Sequence, residues 1–146
     1  STDLRLVMAL NKAVNDLERI GDEAKTIAEQ TLAIHARDGH PPRAIPGAVD
    51  RLATIASQRI QNALDSLGRL DVGQAWTLVR ADEAEEVFQD ILRELGAYAV
   101  GAELTAATVI DMALALKALK RVADRARNLA EYVIFVVEGQ DVRHTT

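Results

Sequence analysis

The stretch Val14–Glu29 has the sequence VNDLERIGDEAKTIAE, and a related stretch, Leu116–Glu131, has the sequence LKALKRVADRARNLAE. Six of the sixteen aligned positions are identical. Helical periodicity alone would match the apolar positions, but it would not also match Arg19, Asp22 and Glu29. The two stretches are therefore predicted to be the same helix of two homologous units.

The first stretch lies within a long predicted helix, called α1, that runs from about Asp3 to Arg37. Apolar or small side chains recur along it at alternating spacings of three and four residues, which is typical of a helix that packs on other helices. We call this row of residues the α1 stripe. Its bulky part is the predicted interface, and small residues extend the row toward the C-terminal end. The bulky residues are Val7, Leu10, Val14 and Leu17, and the small ones are Gly21, Ala24, Ala28 and Thr31.

The composition predicts an all-α protein. Only 3% of the 146 residues are aromatic, whereas alanine occurs 25 times and leucine 17 times. Alanine and leucine are the strongest helix formers. Alternation of apolar and polar residues, which would indicate strands, is not found. An antiparallel helical bundle is expected, because the connections are short enough to make successive helices neighbours.

Three further helices are predicted after a proline-containing linker at residues 39–47. Gly39 is placed to end the first helix, and Pro41 and Pro42 cannot continue it. Asp71 is a candidate N-cap between the second and third helices. The predicted spans are about Gly47–Leu70, Gln74–Ala99 and Leu104–Glu138.

Several classes of protein are excluded by composition and charge. The absence of cysteine excludes a disulfide scaffold, a thiolate zinc site and a cysteine nucleophile, and it fits a reducing compartment. A net charge of −5 argues against a broad nucleic-acid interface. The longest apolar run, residues 132–137, is far shorter than a membrane span. We therefore expect a protein without nucleic-acid binding or direct membrane insertion.

Carboxylate pairs are the candidates for a metal site. Glu18 and Asp22 lie one turn apart on one helix face, Asp82 and Glu86 repeat that spacing, and Asp124 repeats half of it. Carboxylates that project from facing helices of a bundle can hold several metal ions, and oxygen ligands favour magnesium, calcium, manganese or iron. The alternative is a solvated face with intrahelical ion pairs such as Asp22–Lys25.

No catalytic set accompanies these carboxylates. A ferritin-like di-iron enzyme needs Glu-x-x-His on two helices, and none of the histidines (His35, His40, His144) has a glutamate three residues before it. A glycine-rich phosphate loop and a nucleophile elbow are also missing from the sequence. The prediction is a protein that is not an enzyme.

Two motifs resemble the PhoU family of phosphate-signalling proteins. Members of that family carry an Asp-Leu-Arg stretch followed by Leu-Glu-Arg-Ile-Gly-Asp, and this chain has both, at residues 3–5 and 17–22. Asp71, Ala75 and Asp82 fit the spaced Asp…Ala…Asp pattern of the family. The segment from residue 128 to His144 is similar to the family's C-terminus.

The resemblance implies a domain organisation. PhoU-like proteins are two tandem three-helix bundles, so residues 1–38 would be the last helix of a first repeat. Residues 39–47 would be a linker, and residues 48–146 a complete second three-helix repeat. The first two helices of the family pattern are expected to be missing, which would leave one long extra helix beside a three-helix bundle.

The resemblance also implies metal-binding positions. The family signature Glu/Asp-x-x-x-Asp falls on Glu18 and Asp22 and, in its second copy, on Asp124, while Asp82 and Glu86 match paired acidic positions of the preceding helix. Two residues depart from the family pattern in that second copy. Lys120 replaces the expected acid and Arg125 replaces a histidine. A lysine ammonium would supply positive charge and could stand in for a metal ion.

The function implied by the resemblance is regulatory. PhoU proteins act in the cytoplasm as adaptors between the phosphate ABC transporter ATPase and a sensor histidine kinase, and they repress the phosphate-starvation response. Two alternatives remain open on the residues, a metal-dependent helical-bundle enzyme and a purely structural helical oligomer. The uncovered α1 stripe predicts a homodimer, with the first helix exchanged between chains or not. Folding of that helix onto its own bundle is the other possibility.

Overall fold

The computed structural model describes residues 1–40, 46–101 and 103–139, and within these ranges the regular structure is entirely α-helical. This confirms the all-α bundle expected from composition. Most of the predicted linker prolines and the tail that contains His144 lie outside the described residues. The five helices are α1 (Thr2–Asp38), α2 (Pro46–Arg69), α3 (Val72–Arg80), α4 (Glu83–Val100) and α5 (Ala106–Glu138).

Capping residues explain where α1 and α5 end and where α3 begins. Gly39 takes the left-handed conformation (φ 78°), and its N–H donates to the carbonyl oxygen of His35, so the helix stops there as predicted. Gly139 ends α5 in the same way (φ 70°). Asp71 is the predicted N-cap of the third helix, and its Oδ1 accepts from the N–H of Gln74 at 3.1 Å.

The single third helix predicted over Gln74–Ala99 is wrong, because the chain breaks at Ala81 and forms α3 and α4. Ala81 is extended (φ −78°, ψ 123°), and its carbonyl oxygen accepts from the buried guanidinium of Arg59 on α2 at 3.0 Å. Asp82 then begins α4, whose first turn carries three glutamates that interact favourably with the helix dipole. Neither glycine nor proline marks this break, so the local sequence did not indicate it.

The centre of the molecule is α5. It contacts all four other described helices, whereas α1 contacts α5 and no other described helix. The two long helices run antiparallel along their whole length. Near one end Arg5 Nε donates to the carbonyl oxygen of Val136 at 3.2 Å, and near the other Arg37 Nη2 donates to Asp111 Oδ2 at 2.8 Å.

The core consists of two apolar clusters along α5. One joins its C-terminal half to α3 and to the alanines Ala9 and Ala13 of α1. The other joins its N-terminal half to α2, α4 and Ile34 of α1. The resulting bundle of α2–α5, with α1 lying along one side, is the architecture predicted as three helices plus one extra helix. None of the described helices combines the length and the hydropathy that crossing a membrane would require.

Candidate functional site

The predicted carboxylates on α1 lie on its open surface. Glu18 and Asp22 are both exposed, and neither forms a side-chain hydrogen bond or ion pair with a described residue. The intrahelical pair suggested for this face, Asp22–Lys25, does not form, because Lys25 lies 3.9 Å from Glu29 instead. Glu18 and Asp22 therefore offer unpaired oxygen atoms, but only from one helix.

The second predicted pair lies at the start of α4. Asp82 occupies the N-cap position, although its side chain makes no capping hydrogen bond there, and Glu86 is exposed one turn later. The negative charges of Asp82 and its neighbour Glu83 act on the guanidinium of Arg59, whose pKa is nevertheless lowered, above all by burial. Asp82 thus acts on one buried cation, while Glu86 is exposed to solvent.

The third predicted position, Asp124 on α5, already has a cation beside it. Lys120 Nζ lies 2.8 Å from Asp124 Oδ2 and 2.7 Å from Glu85 Oε2 on α4. Partial burial lowers the pKa of Lys120, but hydrogen bonds to Asp124 and Glu85 outweigh it and raise the pKa overall. The hydrogen bond from Lys120 lowers the pKa of Glu85. The ammonium supplies the positive charge here, as its sequence position suggested.

Across the described residues, no group of three or more histidine, cysteine, aspartate or glutamate side chains is placed to hold a metal ion. The five carboxylates predicted as ligands therefore do not gather into one such group within one chain. Around Asp124 the residues present do not fit a metal ion, because Lys120 occupies the position between the two carboxylates. For the two exposed pairs, metal binding stays a prediction.

A buried polar cluster that the sequence analysis missed joins α1 to α5. Asp16 is only 7% exposed. Its Oδ2 accepts a short hydrogen bond from the hydroxyl of Tyr132, and its Oδ1 accepts from Arg125 Nη1 and Asn128 Nδ2, each at 3.3 Å. A carboxylate at this depth is stable because a cation and two neutral donors surround it. Arg125, which departs from the family pattern, has this structural role.

One sequence signal could have found Asp16. Ala9, Ala13 and Ile20 lie at spacings of four and seven along α1, and Asp16 falls in the same row. The first two are buried and Ile20 is half-buried, so this row is the face that packs on α5. An acid in a row of small apolar residues is expected to find a cationic partner on the opposing helix.

The α1 stripe lies on a different face from this row and is exposed. Val7 is 65% exposed and Val14 56%, and Leu10 and Leu17 are also exposed. Leu4 and Met8 extend the uncovered apolar surface toward the N-terminal end. The predicted interface residues thus keep apolar surface that the described helices leave uncovered.

Comparison with known proteins gives the class to which this all-α bundle belongs. A family model described as "PhoU domain" matches residues 1–31 and 49–133. The two matched ranges lie on either side of the predicted linker. The chain belongs to the PhoU family.

Relatives of known name are similar over nearly all of this chain. A protein of Pseudomonas aeruginosa strain PAO1, named "Phosphate-specific transport system accessory protein PhoU homolog", is 36% identical over 145 residues, which are 99% of this chain and 59% of that protein. The "Phosphate-specific transport system accessory protein PhoU" of Escherichia coli K12 is 30% identical over the same share of each chain. The chain therefore spans about three-fifths of the length of these relatives.

A solved structure has the same fold. The structure described as "Crystal structure of PhoU from Pseudomonas aeruginosa" superimposes with a TM-score of 0.87 at 34% identity and covers 96% of this chain and 66% of that one. The names of these relatives describe accessory proteins, not enzymes, in agreement with the prediction of a non-catalytic protein.

Proposed function

We propose that this chain serves a phosphate-specific transport system as an accessory protein and acts by binding other proteins. The observation that carries the proposal is the similarity to the PhoU relatives, which extends over nearly the whole chain. The exposed faces of a rigid helical bundle supply the contact surfaces that such a role needs. The whole-length relatives are larger, so the proposal concerns the part of the activity that resides in this chain.

The finer proposal names the partners and the place. The chain would act in the cytoplasm between the ATPase of the phosphate ABC transporter and the sensor histidine kinase. It would limit uptake and repress the starvation response when phosphate is plentiful. The acidic surface around Glu18 and Asp22 suits such a contact, because its charges are exposed and have no partner among the described residues.

The test is replacement of the resident PhoU protein by this chain in cells that carry a phosphate-regulated reporter, together with pull-down of the ATPase and the kinase. We expect repression in high phosphate, which the double variant Glu18→Lys with Asp22→Lys weakens. Asp50→Lys, an exposed change on α2, is the control and should leave repression intact. If the chain binds neither the ATPase nor the kinase and does not repress the reporter, the proposal is overturned.

The two alternative functions predict different outcomes of the same experiment. A purely structural oligomer predicts that charge reversal at Glu18 and Asp22 leaves the reporter unchanged. The metal-dependent enzyme is not proposed further, because the relatives carry the names of accessory proteins.

We also propose a metal-binding role for the exposed carboxylate pairs, Glu18 with Asp22 and Asp82 with Glu86. Their oxygen atoms favour a hard cation, namely magnesium, calcium, manganese or iron. Elemental analysis of purified protein tests this role. We expect a metal content that falls in the double variant Glu18→Gln with Asp22→Asn, falls further when Asp82→Asn and Glu86→Gln are added, and is unchanged in Asp50→Asn. A metal content below one ion per ten chains would contradict it.

The last part of the proposal is that the chain forms a homodimer. It is supported by the exposed apolar side chains of α1, which offer a surface to a second copy of this chain. Light scattering at several protein concentrations measures the state directly.

A further inference from the structure

A cavity of about 200 Å³ lies beside the break between α3 and α4. Its wall includes Arg59 and Asn62 of α2, Gln74 and Thr77 of α3, and Ala81 at the break itself. We call it the Arg59 cavity. A volume of this size holds about six water molecules, or one small ion with part of its hydration shell. Six of the nine residues in its wall have polar or charged side chains, so a polar ligand suits it.

The guanidinium in this wall has no acidic partner of its own. Arg59 is only 6% exposed, yet no carboxylate of a described residue forms an ion pair with it. One of its five N–H donors is used, in the hydrogen bond from Nη2 to the carbonyl oxygen of Ala81. A cation at this depth is costly unless an anion or several acceptors compensate it. The cavity beside it has room for that missing acceptor.

The carboxylates that surround Arg59 at longer range are for the most part paired with other cations. The charges that act on Arg59 from such distances belong to three acids and one base, namely Asp82, Glu83, Asp124 and Arg127. Glu83 Oε1 lies 3.1 Å from Arg51 Nη2, and Asp124 Oδ2 lies 2.8 Å from Lys120 Nζ. These two ion pairs reduce the repulsion that the carboxylates would exert on an anion in the cavity.

A second group in the wall lacks a partner, and it needs a donor. Gln74 Oε1 is buried and accepts no hydrogen bond from a described residue. The backbone of Gln74 is held in place, because its N–H donates to Asp71 Oδ1 at 3.1 Å. A ligand that satisfies both walls must therefore accept hydrogen bonds from Arg59 and donate one to Gln74. Inorganic phosphate near neutral pH can do both, since it is an anion that still carries a hydroxyl.

We propose that the Arg59 cavity binds free inorganic phosphate, with Arg59 donating to two of its oxygens and Gln74 Oε1 accepting from its hydroxyl. A guanidinium donates in parallel to two oxygens of one oxyanion, which gives arginine its preference for phosphate. An esterified phosphate loses most of its remaining hydroxyl by about pH 8, so it suits Gln74 less well. Such a site goes beyond the accessory role and needs no partner protein. With a single cation, we expect a dissociation constant on the order of 1 mM.

Phosphorus NMR of inorganic phosphate, titrated against the purified chain, tests whether this cavity binds it. A chelator is added throughout, so that a metal ion on the exposed carboxylates cannot hold the phosphate. We expect saturable broadening of the phosphate signal. Arg59→Met should raise the dissociation constant at least tenfold, because it removes the cation but keeps an unbranched side chain. The control Arg93→Met removes an exposed arginine of α4 that lies outside the cavity, and it should change the constant less than twofold.

Competition by related anions at about pH 8 tests the role of Gln74. Sulfate and methyl phosphate lack the hydroxyl under these conditions, and we expect them to bind at least fivefold more weakly than inorganic phosphate. Gln74→Met removes the acceptor and should reduce this preference to less than twofold. This variant leaves the capping hydrogen bond to Asp71 in place, because that bond uses the backbone N–H. It therefore tests the site even if Arg59→Met, which frees the carbonyl oxygen of Ala81, fails to fold.

Three results would overturn the proposal in whole or in part. A phosphate signal that stays sharp up to about 20 mM, some twenty times the expected constant, would show that the cavity holds water only. Saturable binding that Arg59→Met leaves unchanged in a folded chain would place the phosphate elsewhere. Equal affinity for phosphate and sulfate would overturn the role of Gln74. All three are measured on the chain alone, so they are distinguishable from a failure of reporter repression.

Discussion

Helices α1 and α5 each carry one copy of the internal repeat, but the two copies differ in how many helices surround them. On α5 the repeat is surrounded by helices, and its side chains form the core of the molecule. On α1 it touches one of the described helices, α5, and these helices leave its bulkiest apolar row exposed. An apolar heptad row therefore establishes that a helix has a face for packing, but not that the packing partner is one of the helices described here.

The two helices also differ at one position of their mutual contact, where one has a charged residue and the other an apolar one. The position of Asp16 on α1 corresponds by the repeat to Ala118 on α5, which is fully buried. Asp16 thus has no acidic counterpart in the second copy of the repeat, and its cluster with Arg125, Asn128 and Tyr132 occurs once, at the contact between the two helices. It fixes the register of α1, because a shift along α5 would leave buried charges unpaired.

Breaking this cluster should give the largest loss of stability. Asp16→Ala removes the acceptor of three hydrogen bonds and leaves the guanidinium of Arg125 partly buried without its carboxylate. We expect the free energy of unfolding in urea to fall by about 3–5 kcal/mol. Asp22→Ala, at an exposed position of the same helix, should change it by less than about 0.5 kcal/mol. Equal losses in the two variants would contradict the role given to Asp16.

Truncation of equivalent residues tests the contrast between core and surface directly. Leu116→Ala removes a side chain that is 3% exposed, and we expect a loss of about 2–5 kcal/mol in the free energy of unfolding. Its repeat equivalent Val14 is 56% exposed, so Val14→Ala should cost less than about 0.5 kcal/mol. Urea denaturation should be measured at a protein concentration below the dissociation constant of the dimer, so that both values refer to the monomer. Similar losses in the two variants would refute the contrast.

The ion pairs of Lys120 should give a smaller, pH-dependent effect. The pKa of Glu85 is lowered, so its contribution to stability is present above its usual value and is lost as the pH falls through the lowered one. The pKa of Lys120 is raised, so its contribution is present below its usual value and is lost as the pH rises through the raised one.

The variant Lys120→Met should therefore be less stable than the parent chain by under about 1 kcal/mol near neutral pH. The difference should shrink in strong acid and in strong alkali. Thermal unfolding across the pH range measures it, with Lys25→Met, an exposed lysine of α1, as the control. A difference that stays constant from acid to alkali would show that Lys120 acts through packing and not through its charge.

Part of the structure was predictable because it depends on local chemistry. Gly39 ends α1 and Asp71 begins α3 as predicted, since capping depends on a residue and its close neighbours. The break at Ala81 was not predictable, because the group that binds its carbonyl oxygen comes from Arg59, 22 residues earlier. Contacts between distant residues leave no mark in the local pattern.

The candidate site also has a part that the sequence indicated and a part that it did not. The sequence indicated that Lys120 would stand beside Asp124, since four residues on a helix place two side chains on one face. It did not indicate that Glu85 would complete this set from another helix, or that Asp16 would be buried. Both facts depend on which faces of the helices meet.

The sequence alone determined that this chain is an all-α member of a recognisable family with a repeated helix, because periodicity, composition and motifs are properties of the chain itself. Only the tertiary structure decided which copy of the repeat is core and which is surface. The physical reason is that burial depends on the packing of helices, and among the described helices α5 has four neighbours whereas α1 has one.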